Sequence, residues 1–475
     1  MLPPRQFASY WPIFGPVKLA KTYNVPDTLM KTTACIDVQQ VIDQQAFGRY
    51  HLRVTALCAL SVLLDGFDAQ VIGYVAPSLA QEWHIQRAAL SPILSAGLVG
   101  MLLGALLFGP LADRFGRKPI LILCTFWFGV FSLLTSRADS AQSMLVLRLI
   151  TGLGLGGTMP NAIALTAEYM PRRIRATGVM IMFTGFAVGA AAGGFLAAGL
   201  ISSLGWRSVF VLGGLVPCVA AVFLFGLPES IRFLVLKGGQ DAGVAALLGK
   251  IAPAVTIPPD ASFAVGGEHH ERGFVVKRLF TEGRTRMTLL LWVIYFTNLL
   301  ALFFLNSWLP TILHDSGRSI TQSILITTMF QIGGVIACLV LGRSIDHLGS
   351  YRVLVWAYAG ASVCIFFIGA ISGSLALGTL AVFAAGFCIV GAQTGANALA
   401  AESYPTEVRA TGTGWALGIG RIGSIVGPVV GGLLLSSELE VRRVFWVAAV
   451  PTLIAAVASL AVTTGVRKPH TPTRF

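Results

Sequence analysis

The sequence predicts an all-α membrane protein: twelve transmembrane helices in two pseudo-symmetric six-helix bundles. Three observations lead there. Only 12% of the 475 residues are charged and 55% are hydrophobic, with a mean hydropathy of +0.76, whereas soluble domains carry about 25% charged residues. The apolar residues gather into runs of about 20, the length that crosses the hydrocarbon core of a bilayer. Two polar motifs of the first half also return in the second half at nearly constant spacing.

Residues 1–50 read as an N-terminal tail, made irregular by prolines at 3, 4, 12, 16 and 26. The tail has no apolar core with a small-residue cleavage site, so it does not read as a signal peptide. Nothing before Met30 is needed by a membrane fold, and Met1 and Met30 are equal candidates for the start. "VQQVIDQQAFGRYHLRV" reads as a short surface helix leading into the first span. The N-terminal bundle, 51–227, has spans near 54–76, 89–111, 119–136, 143–166, 177–200 and 208–227. A polar linker occupies 228–287. The C-terminal bundle, 288–465, has spans near 288–310, 322–342, 353–371, 376–400, 411–435 and 444–464, and 466–475 is a basic tail. Backbone groups in lipid must be satisfied internally, so each run is a helix. Runs such as "LILCTFWFGVFSLL" lack the alternation of barrel strands.

Charge sets the topology. A net charge of +13 would suit nucleic acid only if it formed a clustered basic surface. Here the basic residues lie in short loops, around Arg114–Lys118, Arg172–Arg175, Arg343–Arg352 and Arg409, on the same side as the linker. The positive-inside rule makes that side cytoplasmic, and twelve spans put both termini there too. The seven cysteines are scattered, six of them in apolar runs, with no C-x-x-C pair, which argues against a metal site or a disulfide framework.

The halves repeat. "GPLADRFGRK" begins at 109 and "GRSIDHLGSYR" at 342; "AEYMPRRIRATG" begins at 167 and "AESYPTEVRATG" at 401. Offsets of 233 and 234 argue for duplication of a six-helix unit. Parallel halves of this kind suit a transporter that rocks one bundle against the other around a central site. "GPLADRFGRK" resembles the loop 2–3 signature of the major facilitator superfamily, and the paired P-x-x-x-R-A-T-G stretches and twelve spans agree. "LDGFDAQVIGYVAPSL", from residue 64, is similar to the first helix of the aromatic acid:proton symporters, whose best-known members import 4-hydroxybenzoate and protocatechuate. The resemblance implies the major facilitator fold and a bacterial inner-membrane protein. It implies import of an aromatic carboxylate, a proton as coupling ion and no cofactor. A monomer is expected, with membrane lipid and the substrate as its partners and no nucleic acid.

Several polar residues must justify their burial. Asp65 and Asp68 are three apart, near one helix face, and intramembrane carboxylates face the bundle interior or an aqueous path. Burial and a like-charged neighbour suit such a pair to proton uptake and release, with a structural ion pair as the other reading. The resemblance implies that both are needed for transport, with Asp68 the stronger proton candidate. Arg148 begins span 4 ahead of glycines 152, 154, 156 and 157. It can bind a carboxylate in bidentate fashion, pair with Asp65 or Asp68, or snorkel to the membrane edge; the resemblance adds a role in proton coupling. Arg421 lies deep in span 11, where an anion must neutralise it, and an aromatic carboxylate would do so. The resemblance carries a functional arginine to this position.

An aromatic acid needs an apolar slot with a few polar anchors. Phe296, Asn298, Phe303, Phe304, Asn306 and Trp308 could line one, or could simply pack; Gln393 and Asn397, on one face of span 10, could bond across helices or to a phenolic hydroxyl. The loop motif reads as a gate. Asp113 can accept bonds from basic groups or a helix N-terminus, alongside Arg114, Arg117 and Lys118, while Gly109 and Gly116 allow a tight turn and close approach. Glu168 with Arg175, and Glu402 with Arg409, repeat a charge pattern that reads as interhelical latches. Asp346 matches Asp113, but His347 and Ser350 replace Arg114 and Arg117, so that half's latch is less charged. The alternatives are a carrier of another organic acid or a phenylpropionate, a drug or metabolite exporter, and a membrane sensor. An enzyme is disfavoured by the absence of H-E-x-x-H and of a G-x-S-x-G in a strand–turn–helix setting.

Overall fold

A computed structural model describes residues 35–253, 257–258, 261–264, 275–281, 283–370, 374–404, 406–437 and 439–465, save for a few side chains within them. Among these residues twelve helices are long and apolar enough to cross a membrane. In the first half they are α2 (Arg49–Trp83), α3 (Arg87–Phe115), α4 (Arg117–Thr135), α5 (Ala141–Tyr169), α6 (Arg175–Leu204) and α7 (Arg207–Phe223). The second half supplies α10 (Thr285–Asp315), α11 (Ile320–Leu348), α12 (Ser350–Ala370), α13 (Leu375–Ser403), α14 (Thr406–Ser436) and α15 (Val441–Gly465). Most overrun the apolar runs that announced them. Hydropathy marks what lies in hydrocarbon, whereas helical hydrogen bonding continues into the interface. The sixth span stops early instead: α7 ends at Phe223 and tightens into a 3-10 turn at Leu224–Gly226, because Pro228 cannot continue a helix.

The tail and linker are more structured than their polarity suggested. β1 (Cys35–Asp37) pairs in parallel with β2 (Ser262–Ala264). Asp37 caps α1 (Val38–Gln44) by accepting from the Gln39 amide at 2.9 Å, which satisfies an orphan helix N–H. Val38 and Ile42 of α1 bury themselves in the same apolar cluster as Val244, Leu248 and Ile251 of α9 (Asp241–Ile251) and Val54 and Cys58 of α2. The expected tail boundary at residue 50 therefore moves: residues 35–48 belong to a cap over the linker end of the N-terminal bundle. Residues 1–34 and the expected tail 466–475 lie outside the described residues.

The two bundles meet through α2 with α10, α3 with α14, and α6 with α11. Bonds between them gather in the half remote from the linker. Ser91 and Ser95 of α3 donate to the carbonyls of Pro428 (3.1 Å) and Ile425 (3.3 Å) on α14. Gln81 bonds His314 at 2.7 Å, and Arg87 pairs with Asp315 at 2.9 Å. Gly73 of α2 lies against the Asn306 carbonyl so closely that any Cβ would collide with it. Toward the linker the bonds described run within one bundle or its cap, as for Glu168 with Ser230 and Glu402 with Ser350. The protein is thus closed at the far end, and bonds that would close the linker end are not among those described. Cysteines replacing Gln81 and His314 are expected to be bridged by a short bifunctional thiol cross-linker, which holds this closure and stops the transport cycle. Unimpaired cycling of the cross-linked variant would contradict the closure.

Candidate functional site

The site draws its side chains from five helices: α2, α5 and α14 for the charges, α10 and α13 for the amides. α2 brings Asp65 and Asp68, both buried. Asp68 accepts from Arg148 Nη1 at 2.9 Å and from Ser132 Oγ at 3.1 Å, and Arg148 Nη2 donates to the Asp68 carbonyl at 3.2 Å. The Arg148 guanidinium also lies 5.8 Å from the centre of the Phe210 ring. Arg148 is therefore the partner of Asp68, not a snorkelling arginine; at 2% exposure it has left the interface altogether. Removing one member of such a pair strands the other charge, at a cost of about 3–5 kcal/mol. Arg148→Ala is accordingly expected to lower the thermal midpoint of the purified protein sharply, and an unchanged midpoint would contradict the pairing.

Asp65 differs. It is fully buried, yet neither carboxyl oxygen has a hydrogen-bond partner among the described residues. The positive charge within Coulombic reach is Arg421, on α14 of the other bundle, while Asp68 adds a like charge. Arg421 reaches across far enough to put Nη2 3.9 Å from the Met159 sulfur on α5. The sequence left Arg421 without an obvious carboxylate because helices 7–10 offer almost none; its counter-charge comes instead from the first helix. A carboxylate buried without donors is stable only when a proton or a cation neutralises it.

Beside this pair lies a chain of amides. Asn298 Nδ2 donates to Gln393 Oε1 at 2.5 Å, Gln393 Nε2 to Asn397 Oδ1 at 3.4 Å, and Tyr295 Oη to the same Asn397 oxygen at 2.7 Å. Asn298 is wholly buried and Asn397 is exposed. The sequence proposed Asn298, Gln393 and Asn397 separately; Tyr295 was missed, since a tyrosine in an aromatic-rich span reads as packing. Phe296 is half-buried. Two expectations change. Trp308 is fully buried, and its N–H is spent on the Pro428 carbonyl at 2.9 Å, so it seals the far half and offers no face to a slot. Asn306 likewise is taken up by Gln331, at 3.0 Å.

The loop motif surrounds a residue the sequence did not single out. Glu229, just beyond span 6, accepts from the backbone N–H of Arg117 (2.9 Å) and Lys118 (3.2 Å), capping α4. An anion there complements the helix dipole. Gly116 takes φ +103°, and a Cβ on it would strike the Glu229 carboxylate. Lys118 Nζ donates to the Phe225 carbonyl at 2.9 Å. The available signal was an isolated acid directly after Pro228 in a basic stretch. Gly116→Ala is expected to destabilise by about 1–3 kcal/mol through the left-handed backbone and the displaced carboxylate, read as a lower thermal midpoint; full stability would contradict the clash.

The proposed latches pair differently. Glu168 binds Arg117 and accepts from Ser230 Oγ at 2.6 Å, not from Arg175. Arg175 donates to the Met170 carbonyl at 3.4 Å and reaches Asp43 at 3.5 Å. In the second half Glu402 accepts from Ser350 Oγ at 2.5 Å, and Arg409 donates to the Tyr404 carbonyl at 3.2 Å. The duplication thus extends to roles: each acid bonds the start of the preceding helix, Arg117 of α4 or Ser350 of α12, and each arginine bonds its own turn. Asp113 and Arg114 are exposed, and Gly109 lies inside α3 rather than in a turn. The Asp346 side chain lies outside the described residues.

With that geometry in place, comparison with known proteins is decisive. The profile of the Major Facilitator Superfamily matches residues 58–265 and 291–475. The chain belongs to the major facilitator superfamily. This facilitator is 43% identical over 429 residues to a gallate transporter of Pseudomonas putida, covering 90% of this chain and 95% of that one. It is 42% identical over 426 residues to the 4-hydroxybenzoate transporter PcaK of Pseudomonas aeruginosa, covering 90% and 95%. In fold it matches a partially occluded inward-open xylose transporter, XylE of E. coli, with a TM-score of 0.69 at 16% identity, over 90% of this chain and 100% of that one. The facilitator is therefore a multi-pass membrane transporter and not an enzyme.

Proposed function

We infer that this facilitator carries an aromatic carboxylate and a proton together into the cell across a bacterial inner membrane. The linker and both termini lie in the cytoplasm, as the basic loops require. The observation that carries this reading is Asp65: a buried carboxylate with no hydrogen-bond donor among the described residues, whose counter-charge is an arginine that an organic anion can claim. When the substrate carboxylate takes Arg421, Asp65 loses its counter-charge and must accept a proton. When the substrate leaves, the proton leaves too and the two side chains neutralise each other again. Asp68 and Arg148 support this exchange as a fixed neutral pair beside it. The relatives' substrates, gallate and 4-hydroxybenzoate, are both hydroxylated benzoates with one carboxylate.

Carrying one uncompensated charge costs about 2.3 kcal/mol per 100 mV. A proton moved with a monoanion cancels that charge, so a one-to-one cycle runs on the pH gradient. With the linker end cytoplasmic, the present state faces inward. In the outward state Asp113, Arg114 and Arg117, with Asp346, close the cytoplasmic side. The test is uptake of labelled 4-hydroxybenzoate, protocatechuate, gallate and a sugar control into proteoliposomes, with and without an inward-directed pH gradient. Accumulation of an aromatic acid only with the gradient is expected; gradient-independent uptake, or uptake of the sugar alone, would refute the reading.

A further inference from the structure

We propose that Asn397, aimed by Tyr295 and Gln393, is the residue that recognises a hydroxyl on the aromatic ring. This rests on the reading of Arg421 as the carboxylate anchor and extends it to the opposite end of the substrate.

The hydrogen-bond chain has a direction. Asn298 donates to Gln393, Gln393 donates to Asn397, and the Tyr295 hydroxyl donates to the same Asn397 oxygen. Both lone pairs of Asn397 Oδ1 are then engaged, which fixes which way the amide faces and leaves its Nδ2 as the group on offer. Of the four residues in the chain, Asn298 and Tyr295 are buried, Gln393 is half-buried and Asn397 is exposed. The chain therefore runs from the packed interior of the bundle outward to a single free donor. Three side chains immobilise one amide, an arrangement suited to specificity because the donor is oriented before the ligand arrives.

The spacing suits a hydroxybenzoate. Gly420, the neighbour of Arg421, packs on Tyr295, with its notional Cβ 3.3 Å from the Tyr295 Cβ. The Tyr295 side chain thus runs from the α14 backbone beside Arg421 to Asn397. From that point the Arg421 side chain extends toward Met159 on α5. A ligand that bridges its guanidinium and Asn397 presents a hydroxyl on the side of the ring away from its carboxylate; a hydroxyl ortho to the carboxylate falls short, and benzoate leaves the amide unpaired.

The test is binding of 4-hydroxybenzoate, 2-hydroxybenzoate and benzoate to the full-length purified protein, wild type against Asn397→Ala and Tyr295→Phe. Wild type is expected to prefer the para acid. Asn397→Ala is expected to weaken 4-hydroxybenzoate about tenfold, the worth of one oriented hydrogen bond, while leaving benzoate unchanged. Tyr295→Phe, which frees the amide without removing it, is expected to narrow the preference by a smaller factor. If Asn397→Ala weakens all three acids equally, or none, the role is structural and the proposal falls, with the Arg421 reading intact. If wild type binds none of the three acids, both fall together.

Discussion

Asp65→Asn is expected to abolish accumulation: substrate should enter proteoliposomes only to its outside concentration, whatever the pH gradient, while exchange of internal for external substrate persists. The amide is nearly the same size as the acid, so packing against α6 and α14 survives. It cannot cycle a proton, however, and it no longer competes with the substrate for Arg421. Binding should be at least as tight as in wild type, and the loss should fall on coupling alone. Asp68→Asn gives a different phenotype. It strands the buried Arg148 guanidinium, so it should lose folded protein as well as transport. From the sequence, Asp68 was the stronger proton candidate of the two. We propose that the proton role falls to Asp65, because Asp68 is already held by two side-chain donors. Gradient-driven accumulation by Asp65→Asn would overturn that assignment.

Arg421→Ala is expected to weaken aromatic-carboxylate binding by on the order of 100-fold or more, since breaking a buried charge pair costs about 3–5 kcal/mol. Arg421→Lys keeps the charge but loses the planar fork, and should fall between the two. Arg421→Ala also leaves Asp65 buried with no counter-charge. Adding Asp65→Asn should therefore restore much of the lost stability without restoring binding, a coupling that a double-mutant cycle on thermal midpoints reads directly. Strict additivity of the two changes would contradict their pairing across the bundles.

The fold was legible because its determinants are local: apolar run length for the spans, basic loops for sidedness, and an offset of 233–234 residues for the duplication. Asp65, Asp68, Arg148 and Arg421 could be picked out because a charge in an apolar run is costly wherever it sits. Who meets whom could not be read. The sequence left Arg148 open to either aspartate, and it named only the substrate as an anion for Arg421. Such pairings are set by how α2 packs on α14 and α10, which no local pattern encodes. The repeated charge pattern also misled on Glu168 and Arg175, which bond Arg117 and the Met170 carbonyl rather than each other. Trp308 looked like a slot residue by composition, yet its N–H answers the carbonyl of Pro428.

In the proposed cycle a substrate anion and a proton neutralise Arg421 and Asp65 in turn. The most direct test is proton uptake on binding: 4-hydroxybenzoate is added to the unbuffered, purified protein and the pH change is followed with an indicator dye. The account predicts uptake of about one proton per bound substrate in wild type, none in Asp65→Asn, and an affinity that falls as pH rises in wild type only. Binding with no proton taken up, or equal uptake by wild type and Asp65→Asn, would contradict it.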